Sequence, residues 1–424
     1  MTGYCRSTNF FRSRKEEMRI LKFLGVFLIT AILLFGFVFG FNWKSFNIFF
    51  DNREAMIEGN EWVHKTHSLK GLSEFMGEKP KYASVASRVI TAQDSSINFQ
   101  ENKPRVMGTT SNFFILLAYS IKIDNGTFHE DDVIAWEQVE QYQLPDVDES
   151  VLQETYREAE RRGWIEDEAI TLRNALSLLA QYNTMALADY LWWQLDPAVW
   201  ETITSDYNLS NTEMPLPFSG LYISISPGIM DVSTQEIIER SLELEQAEWR
   251  DYVKSHSERF KNDSDFRNTV KQYMRSNRLG NTFMEERDAM ILFPKATASE
   301  LTKILELIVN RQFVNESVSE RVKDIMRWPM RYQSGIDQNF VDYGAIYDNR
   351  MGLLNGIDFG TSVYTEDTTI QAFFLDRLPI GFWFHASGGH MHQDFMQRLI
   401  FDPAMIDQMN LVVQELKNNE NQLF

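Results

Sequence analysis

Cysteine is nearly absent from this chain of 424 residues: the single one, Cys5, stands ahead of its one long hydrophobic run. Nothing beyond that run can form an intrachain disulfide, a thiolate metal site or a cysteine nucleophile. Basic charge is also scarce, with 41 Lys and Arg against 60 Asp and Glu and a net charge of −19. That balance argues against nucleic acid or an anionic membrane surface as the partner. Repeats and low-complexity tracts are missing too. What remains is a 44% hydrophobic chain, long enough for one large domain or two ordinary ones.

From Phe23 to Phe41 the chain runs nineteen residues without a charge, about the length that crosses a ~30 Å hydrocarbon core as a helix. Arg6, Arg12, Arg14, Lys15, Arg19 and Lys22 precede it, so the positive-inside rule places residues 1–22 in the cytoplasm and the bulk of the chain outside. A cleaved signal peptide is the rival reading, with Met18 as start. The run is long for an h-region and no Ala-x-Ala follows, so an uncleaved anchor of the cytoplasmic (inner) membrane, with a periplasmic or other extracytoplasmic domain, is the expectation.

Residues 42–80 read as a connector with a first helix, and 81–424 as the main domain. Ala83–Thr91 and Ser95–Phe99 have strand character. Ser111–Ile123 is apolar nearly all round and stops at Asp124-Asn125-Gly126, the pattern of a buried helix. Val151–Arg162, Leu172–Trp193 and Ala198–Ser205 carry apolar residues at helical spacing. Residues 229–290 are charged and helical and read as an insertion. Thr297 with Glu300 forms a capping box for a helix to Leu307. Gly344–Tyr347, Gly360–Tyr364, Ile370–Phe374 and Ile380–Phe384 are predicted strands, and Asp394–Leu416 a closing helix.

Three short frames carry the chemistry. Thr109-Thr110-Ser111-Asn112 opens the apolar helix; Gln181-Tyr182-Asn183 falls where two helical stretches meet; Arg350-Met351-Gly352 lies among strand-like segments. In this order, over roughly 80–418 without the insertion, they resemble the three motifs of class A β-lactamases and related penicillin-recognising serine hydrolases: Ser-x-x-Lys, Ser-Asp-Asn and Lys-Thr-Gly. The resemblance implies an α+β fold, an antiparallel sheet flanked by helices with an all-helical subdomain. It also implies a degenerate site. Thr109 stands at the nucleophile position and Asn112 at the position of the base, and no serine in this chain has a lysine three residues on. Gln181 replaces the proton-relaying serine, Asn183 retains the substrate-contacting asparagine, and Arg350 and Gly352 keep the charge and the glycine of the third motif. Arg350 is thus expected on an edge strand, binding a substrate carboxylate bidentately. The plainer readings are a buried helix with a polar first turn, a loop asparagine and a solvated arginine.

Other patterns are weaker. Glu258 and Asn262 have the spacing of the family's deacylating glutamate frame but sit in the charged insertion, so no general base is assigned. Ser205-Asp206-Tyr207-Asn208 follows a helix end and matches none of the family's surroundings. His385, His390 and His392 with Asp394 lack the spacing of a recognised metal motif; no metal and no cofactor is expected. Trp192-Trp193 and Phe382-Trp383-Phe384 read as core. The expected role is a membrane-anchored binding or scaffolding protein of the cell envelope, its ligand a carboxylate-bearing peptide or cell-wall fragment. An active hydrolase using Thr109 or Ser111 with an atypical base is the alternative, and a purely structural envelope partner docking through 229–290 a third.

Overall fold

The computed structural model describes residues 22–30, 43–92, 95–333 and 338–421. The chain divides into two units, Met1–Glu54 and Ala55–Phe424. In the first, residues 22–30 and Trp43–Asp51 are helical. Most of the Phe23–Phe41 run lies outside the described residues, and among those described no helix is long and apolar enough to cross a membrane.

The second unit is built on a five-stranded antiparallel sheet. Its strands are β1 (Ala83–Val89), β2 (Ile97–Phe99), β3 (Phe340–Asp348), β4 (Leu354–Ser362) and β5 (Thr368–Leu375), in the spatial order β2-β1-β5-β4-β3. The N-terminal hairpin therefore joins the C-terminal meander through β1 and β5, and β3 is left at the edge. Between β2 and β3 lie the helices α1 (Asn112–Asp124), α2 (Leu172–Tyr182), α3 (Met185–Gln194), α4 (Ala198–Asp206), α5 (Phe218–Ser224), α6 (Gln246–Asn262), α7 (Ala298–Val309) and α8 (Glu316–Met326); α9 (Ile380–Gly388), α10 (Met391–Phe401) and α11 (Pro403–Asn421) follow β5. Two strands, a helical middle, three strands and closing helices is the order that the resemblance implies.

The period-2 geometry of the strands divides the core into two layers. A Cβ on Gly344 would meet Phe359 and the Met326 end of α8, whereas one on Gly356 would meet the Met396 sulfur of α10. Helices α7 and α8 cover the first face, and α10 the second. Helix α1, buried from Asn112 to Ser120, runs beneath α8. The charged 229–290 stretch is bound into the domain by α6, which lies so close to α5 that a Cβ on Gly220 would be 2.2 Å from the Val253 carbonyl.

Four expectations change. Residues 55–80 are no connector: Leu72, Phe75 and Met76 are buried on a helix, Leu69–Glu78, whose apolar face packs on α11, and Trp62 is buried on the short helix before it, which packs on α9. Ile380–Phe384 is the first half of α9 rather than a strand, since a short all-apolar run fits a buried helix as well as a strand, and Pro379 sets its start. Strand β4 begins at Leu354, ahead of the predicted Gly360, its polar Asn355 and Asp358 hiding it. The closing helix is two helices, because Pro403 has no N–H and holds Asp402 in an extended conformation.

Between the sheet and α10 is a buried polar group. Asp358, fully shielded, accepts from the Tyr343 hydroxyl at 3.0 Å and the Tyr347 hydroxyl at 3.4 Å. Its other oxygen has no partner, nor does Oε1 of Gln371, its neighbour across β4 and β5. Burial pushes the Asp358 carboxyl up to about 7, the tyrosine hydroxyls opposing. In the protonated form it can donate to Gln371, supplying both orphaned atoms. A carboxyl raised on folding adds stability that is complete below the unfolded-state value and is lost as pH rises through the folded one. Relative to Asp358→Asn, whose amide donates at every pH, the wild type should lose stability from about pH 4 upward, levelling off above about 7, by up to a few kcal/mol. Urea midpoints of the two proteins across this range check it, and parallel curves would refute it.

Candidate functional site

The apolar helix α1 is entered through one tight turn, Gly108–Ser111, with Gly108 in the left-handed region at φ +56°. The Thr110 and Ser111 hydroxyls donate back to the carbonyls of Met107 and Gly108 at 2.6 and 2.8 Å. Ser111 is therefore spent on its own turn. Thr109 points to the end of β3 instead. Its hydroxyl donates to Asp348 Oδ1 at 2.6 Å and its backbone N–H to Asp348 Oδ2 at 3.1 Å. One carboxylate thus caps the start of the helix and occupies the hydroxyl beside it.

Helix α2 ends where Asn183 turns left-handed, at φ 51°. That turn lets its side chain face α1. Asn112 Nδ2 donates to Asn183 Oδ1 at 3.0 Å, and Asn183 Nδ2 donates to the Tyr347 carbonyl at 2.7 Å. Arg350 closes the arrangement. It donates to the Asn183 carbonyl at 3.2 Å and reaches Asp148 Oδ1 at 3.4 Å, and its backbone N–H donates to Asp348 Oδ1 at 3.2 Å. Asp148 in turn accepts from Thr184 Oγ1 at 2.7 Å and from the N–H groups of Met185 and Ala186, capping α3. Two carboxylates at two helix starts, with a guanidinium between them, hold the end of β3 against α1 and α3.

Burial raises the pKa of both Asp348 and Asp148, and the Arg350 charge with the capping donors pulls them back. Burial also disfavours the Arg350 cation, but its carboxylate neighbours and Tyr222 outweigh that and leave its pKa raised. The groups around the helix start are closed to solvent, Thr109 being 1% exposed, Asp348 3% and Asn183 3%, with Arg350 half-buried beside them.

Thr109, Asn112, Asn183 and Arg350 are thus brought together, although 350 and 183 are 167 residues apart. Two predicted residues stand aside. Gln181 accepts from Arg162 at 2.6 Å, and Arg162 lies over the rings of Trp164 and Tyr332; two residues before Asn183 on a helix, it faces another side. Gly352 lies against Arg287 at φ +74°. The Arg350–Gly352 frame is not on the edge strand but in the turn after it, because β3 ends at Asp348 and a left-handed glycine makes the reversal. Glu258 is exposed toward the C-terminal end of α6. His385 contacts the Thr66 carbonyl and His392 is buried against Tyr347; among the described residues no three His, Cys, Asp or Glu side chains group to hold a metal.

Asp348 and Asp148 escaped the sequence reading, though both hold the cluster. Asp348 stands two residues before Arg350, and that Asp-x-Arg spacing was the available signal. Chemically, acyl transfer needs an accessible hydroxyl, a base for its proton and N–H donors aimed at the developing oxyanion. Here the hydroxyl and the Thr109 N–H share one anionic acceptor, which opposes negative charge where an oxyanion would form. The edge strand is also occupied. The outward carbonyls of Ala345 and Tyr347 accept from Trp328 Nε1 at 2.7 Å and from Asn183, leaving neither for an added strand.

No protein-family profile matches the chain and no curated protein matches it. Solved structures do. A β-lactamase from Sphaerobacter thermophilus is 10% identical at a TM-score of 0.48, covering 78% of this chain and 95% of its own. A β-lactamase from Chitinophaga pinensis is 12% identical at 0.43, covering 76% and 99%. A class A β-lactamase from Mycobacterium abscessus is 11% identical at 0.43, covering 76% and 98%.

Proposed function

We propose that this chain is a catalytically degenerate β-lactamase-like serine hydrolase homologue that serves the cell envelope as a binding or scaffolding protein. One observation carries the reading: the Asp348 carboxylate on both the hydroxyl and the N–H of Thr109. The alternative, an active hydrolase with an atypical base, would draw on Asp348 as that base, since its carboxylate accepts the hydrogen bond of the Thr109 hydroxyl at 2.6 Å. Dismantling a nucleophile and its base leaves rates lower by about 10⁶ where such units have been taken apart. The full-length chain incubated with a fluorescent penicillin should give no labelled band, and intact mass spectrometry no acyl adduct. Stoichiometric acylation of Thr109 or Ser111 would overturn the reading.

Anchoring belongs to the same proposal. The uncharged Phe23–Phe41 run and the basic residues before it support a single-pass anchor with Ala55–Phe424 outside the cytoplasm. A carbonate wash should leave the protein in the membrane fraction, and a C-terminal reporter should be active only if it is of a type that works outside the cytoplasm. Release of a shortened soluble form would show a cleaved signal instead.

A further inference from the structure

A cleft of about 260 Å³, which Thr109 does not line, lies where α4, the 210–214 loop, the first turns of α6 and Lys295 meet. It is smaller and more polar than the ~300–1,000 Å³ apolar pockets that take drug-sized ligands. Its frame is firmly held. Glu300 accepts from the Thr212 hydroxyl at 2.5 Å and the Asn211 N–H at 3.0 Å, and Glu213 donates its N–H to the Lys295 carbonyl at 2.8 Å while its carboxylate accepts the Lys295 N–H at 3.1 Å. Trp200, 4% exposed, forms one wall.

Four charged side chains line this cleft: Arg250, Lys295, Glu201 and Glu213. Among the described residues, neither the Arg250 guanidinium nor the Lys295 ammonium is in an ion pair, although both are half-buried, and Glu201, exposed at the mouth of the cleft, is in none either. Other arginines set into this protein are satisfied from within it, Arg278 by Glu286 at 2.9 Å, Arg287 by Glu58 at 2.7 Å and Arg267 by the carbonyls of Phe260 and Lys261. Partly desolvated charges call for partners. A bare anion would gain little here, because the four charges cancel and the whole chain is at −19. A molecule carrying both signs meets both needs.

We propose that this cleft binds a small zwitterion, a free amino acid or a dipeptide, its carboxylate held by Arg250 and Lys295 and its ammonium by Glu201 and Glu213. The proposal is independent of whether Thr109 is reactive. The test titrates the full-length chain with glycine, with alanine and with the Ala-Ala dipeptide, each of the last two as L and D forms, reading tryptophan fluorescence and melting temperature. N-acetylalanine and alanine amide, which keep one charge each, are the comparisons. At least one zwitterion should bind saturably, and about ten-fold or more tightly than either single-charge analogue. Glu201→Gln and Arg250→Gln should each weaken binding by a similar factor, with the unliganded melting temperature reporting that the variants fold. Absence of a saturable response to every zwitterion, equal binding of N-acetylalanine, or unchanged affinity in Glu201→Gln would each overturn it.

Discussion

Arg350→Ala should destabilise the protein by about 3–5 kcal/mol, the range for removing one partner of a buried ion pair and leaving the other charged and alone. Arg350 is the only cation that ion-pairs with Asp148 or Asp348 among the described residues, and the side chains of those aspartates are 0% and 1% exposed. Without it, two carboxylates share a dry site, and the hydrogen bonds to the Asn183 and Val147 carbonyls go as well. Lysine would keep the charge but not the guanidinium fork, so Arg350→Lys should fall between. Urea unfolding of the full-length variants measures the effect as a shifted midpoint at constant slope. A loss below about 1 kcal/mol would mean that the arginine is solvated, as in an exposed pair. The arginine expected to meet a ligand carboxylate is thus paired with two carboxylates of the protein's own.

Gly108→Ala should cost about 3 kcal/mol or more from two separable causes. The left-handed backbone at φ +56° costs an alanine about 1–2 kcal/mol. Its Cβ would also stand 1.9 Å from Asp348 Oδ2 and 2.9 Å from Leu353 Cδ1, so the carboxylate must leave and the Thr109 N–H loses its acceptor. Removing the carboxylate beforehand should make the alanine cheaper. In a double-mutant cycle with Asp348→Ala, the combined loss should be smaller than the sum of the single losses by more than 1 kcal/mol, as for residues in contact. Strict additivity would show that Asp348 does not rest on that turn.

The unbroken apolar stretch from Phe113 announced a buried central helix, and Thr297 announced a helix start as its N-cap, because caps and periodicity are written within a few residues; the expected capping box is only half there, since the Glu300 carboxylate turns to Thr212 and Asn211. The Asp402-Pro403 break was equally local and was missed because the apolar spacing runs across it. Gln181 and Asn183 looked alike as motif positions, yet the left-handed turn at Asn183 sends them to different sides.

Residue order alone therefore determined the succession of strands and helices, the acidic balance, the uncharged run near the N-terminus and the absence of an amine three residues after Thr109. The tertiary structure alone decided what took the empty place. Asp348 meets Thr109 across 239 residues and Arg350 meets Asp148 across 202, contacts that no local period encodes. They form because a buried helix start exposes N–H groups that need an acceptor, and the sheet's antiparallel order brings the end of its edge strand to that point.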